Sequence, residues 1–68
     1  MSIKKLEEAM AAQGMSVDDL AKKTGIDRST LYRRLKGGGK KITVDEMRRI
    51  SVAMAMDERT IVSIFLSA

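Results

Sequence analysis

The sequence predicts an all-α fold, a bundle of five short helices, on three observations. Proline is absent, and five glycines at Gly14, Gly25 and Gly37 to Gly39 are the main punctuation. Between them, apolar residues recur at three- and four-residue intervals, the spacing of a buried helix face. Side chains able to cap a helix N-terminus (Ser16, Asp27, Thr43 and Asp57) stand where new segments begin. A length of 68 residues allows one domain spanning 1–68, and 44% apolar residues suffice for one small core with little stability to spare.

The first helix is expected over about residues 2–13, because Ile3, Leu6 and Met10 recur at i, i+3 and i+7 and Gly14 can close it in a left-handed turn. Ser16, followed three residues later by Asp19, is a weak capping-box start to a second helix with Val17, Leu20 and Ala21 as its apolar face. Gly25 ends that helix. Asp27 caps a third over 28–36, with Leu31 and Leu35 turned inward. Residues 36–41 hold three glycines and three lysines, a flexible loop whose far end Ile42 anchors in the core. Thr43 and Glu46 form a T-x-x-E capping box ahead of Met47, Ile50 and Met54, giving a fourth helix over 44–55. Residues 60–66 are open between strand, for their β-branched content, and helix, for the Asp57-Glu58 start; helix is preferred. The six methionines fall mostly at core spacing, which favours packing over a methionine-lined binding groove.

The inventory excludes much chemistry. Without Cys or His there is no disulfide, zinc finger, Cys–His pair or Ser–His–Asp triad. The adjacent carboxylates Asp18, Asp19, Asp45 and Glu46 lie at helix starts, where compensation of the helix dipole accounts for them without acid–base work or a metal. No strand precedes the three glycines and no Gly-Lys-Ser/Thr follows, so they do not make a nucleotide cradle. Met1 to Lys5 carry charge with no apolar run behind them, and no window approaches the roughly 20 apolar residues of a membrane span. The expectation is a soluble, cytoplasmic protein with no catalytic role, cofactor, metal, membrane or small-molecule substrate.

Charge is the positive signal. The chain carries 13 Lys and Arg against 9 Asp and Glu, a net +4. Residues 1–25 are balanced, and residues 44–68 are slightly acidic. Residues 26–43 hold Arg28, Arg33, Arg34, Lys36, Lys40 and Lys41 against Asp27 alone. The excess therefore sits on one helix and its following loop, the footprint of an element that faces phosphates. A solvated helix face would explain the arginines taken alone, and a soluble turn would explain Lys40 and Lys41.

What precedes this helix decides between those readings. Ala21, Gly25 and Leu31 place a small residue where two helices approach, a glycine where a tight turn needs positive φ, and an apolar anchor under the second helix. Through Ser16-Val17-Asp18-Asp19-Leu20-Ala21-Lys22-Lys23-Thr24-Gly25-Ile26-Asp27-Arg28-Ser29-Thr30-Leu31-Tyr32-Arg33-Arg34-Leu35 the chain resembles the Cro/phage-repressor type of helix-turn-helix regulator. The resemblance extends over nearly the whole chain. It implies a lambda-repressor-like bundle whose third helix lies in the major groove of a double-stranded DNA operator, and a small prophage-encoded transcriptional regulator. Two positions depart from the family's pattern: Val17 stands where Gln often bonds a phosphate, and Arg34 where an apolar residue is common.

Projected at about 100° per residue, Ser29, Tyr32, Arg33 and Lys36 share the face opposite Leu31 and Leu35, with Arg28 in the first turn. The resemblance implies base reading at Arg28, Ser29 and Arg33; Arg can pair bidentately with guanine, and Tyr32 can pack on a thymine methyl or donate to a phosphate. Ser16, Arg34, Lys36, Lys40 and Lys41 are expected to hold the phosphate backbone. On the last helix, Ile61, Ile64 and Phe65 share a core face while Val62 and Leu66 project elsewhere, either as simply exposed aliphatics or, as preferred, the seam of a weak homodimer. A rival function keeps the fold but turns helix 28–36 to protein, as an antitoxin or anti-repressor adaptor. Single-strand binding is disfavoured, because Tyr32 and Phe65 are the only aromatics.

Overall fold

The computed structural model describes residues 1–66. Among them five helices run α1 Ile3–Ala12, α2 Val17–Thr24, α3 Arg28–Lys36, α4 Val44–Ala53 and α5 Glu58–Phe65, and no strand occurs. The expected all-α architecture is observed, and residues 60–66 fall mainly within a helix. The β-branched content of that segment gives way to the Asp57 cap, whose Oδ1 accepts the Thr60 N–H at 2.8 Å, and to an amphipathic face that buries Ile64 and Phe65.

Local chemistry sets each boundary. Ser2 caps α1, its Oγ accepting the Lys5 N–H at 3.2 Å. The Ser16 cap of α2 is a complete reciprocal box: Ser16 Oγ accepts from Asp19 N at 3.1 Å and Ser16 N donates to Asp19 Oδ2 at 3.0 Å. Aspartate thus serves in the position usually held by Glu or Gln. Asp27 Oδ2 accepts from Thr30 N at 3.2 Å, and Thr43 and Glu46 exchange the same two bonds at 3.1 and 3.0 Å. Helix α4 ends two residues earlier than its apolar spacing suggests, because Ala55 adopts φ +50° and turns the chain.

The core comprises Leu6 and Met10 of α1, Met15, Leu20 and Ala21 of α2 and its approach, Ile26 and Leu31 around α3, Ile50 and Met54 of α4, and Ile64 and Phe65 of α5. All six methionines lie in this cluster or against it. Helix α2 packs on both α3 and α4, while α1 packs on α5. Two long-range bonds fasten the chain's beginning to α5: Ser2 N donates to Ile64 O at 2.7 Å, and Lys5 Nζ to Ser63 Oγ at 3.1 Å. The radius of gyration is 10.6 Å.

Candidate nucleic-acid interface

The turn between α2 and α3 is built by three adjacent residues. Gly25 takes φ +73°, and a Cβ there would meet only Arg49 Nη1 at 3.9 Å, so glycine is needed for backbone conformation rather than for space. The buried Thr24 hydroxyl donates to Leu20 O at 2.7 Å and accepts from Ile26 N at 3.2 Å, bridging the end of α2 to the start of the turn. Ile26 then enters the core. Ala21 and Leu31 are both buried, as their spacing around Gly25 predicts.

With Leu31 seated, α3 exposes Arg28, Ser29, Tyr32, Arg33 and Lys36 to solvent, and Tyr32 is 49% accessible despite its size. Arg28 does not hang free. Its Nε lies 2.6 Å from Asp18 Oδ1 on α2, and its guanidinium carbon sits 5.6 Å from the Tyr32 ring centre. Arg33 Nη2 reaches Thr30 Oγ1 at 3.4 Å. Beyond α3, Gly38 and Gly39 take positive φ, Ile42 is buried as the loop's anchor, and Lys40 and Lys41 are exposed. A cleft of about 290 Å³ is lined by Arg33, Arg34, Gly37, Lys40 and Lys41, so four cations from helix and loop converge on one concavity.

Arg34 is placed differently from its neighbours. Its side chain is only 25% exposed, and its Nε donates to Glu46 Oε1 at 3.1 Å. The same oxygen accepts the Thr43 N–H, so one carboxylate caps α4 and ties it to α3. Thr43's backbone N–H holds the Glu46 carboxyl below its ordinary range; burial opposes this and Arg34 adds to it. Ser16 stands at the N-cap of α2, engaged in its capping box.

Val62 on α5 and Leu66 at its C-cap are both exposed, at 52% and 70%. Leu66 lines a groove of about 430 Å³ between α4 and α5, together with Val44, Val52, Ala55 and Met56; Val62 does not line it. The core spacing of Met47, Ile50 and Met54 does not announce that Val44 and Val52 are exposed. A signal for it is present in the sequence, since Val44, Arg48 and Val52 recur every four residues on a stripe away from Ile50. Nor do the helix starts, which account for Asp18 and Glu46 one at a time, announce the pairings of Arg28 with Asp18 and of Arg34 with Glu46. Among the described residues no helix is long and apolar enough to cross a membrane.

Comparison with curated proteins and with solved structures yields no match. The family model of the Cro/C1-type helix-turn-helix DNA-binding domain matches residues 5–64, which takes in all of α2, α3 and α4 and most of the two outer helices. A helix pair turned at Gly25, a solvent-facing basic α3 and this match lead to one conclusion: the chain belongs to the Cro/C1-type helix-turn-helix DNA-binding domains and is a DNA-binding regulator.

Proposed function

We propose that the chain is a sequence-specific double-stranded DNA-binding transcriptional regulator of the phage or prophage repressor or Cro-like kind, with α3 inserted in the major groove of an operator. The observation that carries this reading is the solvent-facing set Arg28, Ser29, Tyr32 and Arg33 on a helix whose opposite side is anchored by Leu31. These four read base edges. Lys36, Lys40 and Lys41 hold phosphates, and Arg34 lends its remaining guanidinium donors to the same basic cleft while its Nε keeps α4 in place. Ser16 can still donate its hydroxyl proton to a phosphate while accepting the Asp19 N–H.

The regulator acts as a weak symmetric dimer closing through Val62 and Leu66, with half-sites about one DNA turn, roughly 34 Å, apart. The apolar groove beside Leu66 supports this reading, because it leaves aliphatic surface for a partner to cover. Selection of bound sequences from a random duplex pool, followed by titration of the winner across salt concentrations, tests the whole assignment. A single enriched motif with steeply salt-dependent affinity is expected. Enrichment of nothing, with a salt-insensitive contact to another protein, would instead establish the adaptor role.

A further inference from the structure

The contact between Asp18 and Arg28 spans the turn and joins the first turn of α2 to the first residue of α3. An acid in the first turn of α2 offsets the helix dipole wherever its side chain points. Pairing with Arg28 is a further commitment, and its geometry is selective. Asp18 Oδ1 approaches Nε, at 2.6 Å, so the carboxylate meets the guanidinium on the side of its stem. Tyr32 meanwhile lies against the guanidinium, 5.6 Å from its carbon to the ring centre. The guanidinium thus has a carboxylate beside it and an aromatic ring beneath its central carbon.

We propose that Asp18 is a positioning residue that determines specificity, presenting the terminal fork of Arg28 to the O6 and N7 acceptors of a guanine. The proposal rests on the reading that α3 enters the major groove. A planar, preorganised fork loses less rotamer freedom on pairing than a free side chain. Asp18 also acts against the wrong complex. On an unrelated duplex, Arg28 would gain most by swinging onto a phosphate, and to do so it must leave Asp18 and bring an unpaired carboxylate near the backbone. On the right base it keeps both partners. Discrimination arises from that difference. In the free protein the pair is solvent-exposed, at 65% and 50%, so it contributes little to folding and its removal leaves the domain intact.

The test compares wild type, Asp18→Asn, Arg28→Ala and the double variant. Each is titrated with the duplex selected by wild type, with that duplex changed at the base pair whose preference Arg28→Ala relaxes, and with an unrelated duplex. Asp18→Asn should lower discrimination at that one base pair by about threefold to tenfold, a part of what a whole guanine–Arg pair supplies. It should also strengthen binding to the unrelated duplex, leave preferences at other positions unchanged, and have no effect on discrimination once Arg28 is Ala. Thermal unfolding should be nearly unaltered. If Asp18→Asn keeps full discrimination, or loses it equally at every position, the positioning role is overturned while α3 remains the reader. If Arg28→Ala leaves the selected sequence unchanged, the reading of α3 fails and this role falls with it.

Discussion

Arg33 and Lys41 are both exposed cations, yet their removal should differ in kind. Arg28→Ala or Arg33→Ala should remove about 1–3 kcal/mol of preference for the correct base at one position per half-site. Lys40→Ala or Lys41→Ala should weaken every duplex nearly equally and lower the salt slope by about one for each phosphate left unneutralised, which titrations on matched and mismatched duplexes at several salt concentrations will separate. Glu46 supports a pH prediction. Its carboxyl is held below the ordinary value of 4.5, first by the Thr43 N–H, with burial opposing and Arg34 assisting. A depressed folded-state value means that the unfolded chain takes up the proton first as acid is added. The stabilisation is therefore complete above pH 4.5 and is lost as pH falls through the folded-state value. Thermal unfolding followed into acid should show a shallower decline for Glu46→Gln than for wild type, from a lower starting point at neutral pH.

At the level of the elements, two of the helix ends that use left-handed backbone, at Gly25 and Ala55, invite opposite substitutions. Ala55 holds φ +50° after α4 despite its Cβ, so Ala55→Gly should stabilise the domain by about 0.5–1 kcal/mol, after the greater freedom of glycine in the unfolded chain is set against the relieved strain. That is a rise in melting temperature of about 2–8 °C for a domain this small, measurable by calorimetry. Gly25→Ala should destabilise by about 0.5–1 kcal/mol on the same balance, since nothing crowds the added methyl. The helices themselves were legible in the sequence because their determinants are local: Ser16 with Asp19, Asp27 with Thr30 and Thr43 with Glu46 act over three residues, and Leu31 answers to Ala21 and Gly25 across a single turn between helices. The solvent-facing side of α3 was legible for the same reason, since it follows from helical periodicity once Leu31 is fixed inward. The ion pairs of Asp18 with Arg28 and Arg34 with Glu46 were not, because each depends on how two helices cross, an angle that core packing sets and periodicity does not record. Residues 60–66 were ambiguous because strand propensity and an N-terminal cap point to different structures, and only packing against α1 and the core resolves them.

For the whole molecule, the proposed dimer makes the sharpest prediction. Val62→Lys with Leu66→Lys changes two exposed positions and should leave the monomer folded, abolish self-association and weaken operator binding. Sedimentation showing a monomeric wild type at high concentration, together with normal operator binding by the double variant, would remove α5 as the seam. The bonds that tie Ser2 and Lys5 to Ile64 and Ser63 carry a different consequence, one of order in time. Helices α2, α3 and α4 meet through short connections, whereas α1 and α5 must close nearly the full length of chain before their packing contributes anything. That closure should therefore follow the rate-limiting barrier. Ile64→Val, which costs about 0.5–1.5 kcal/mol, should then appear almost entirely as unfolding accelerated about twofold to tenfold, with the refolding limb of the chevron unmoved.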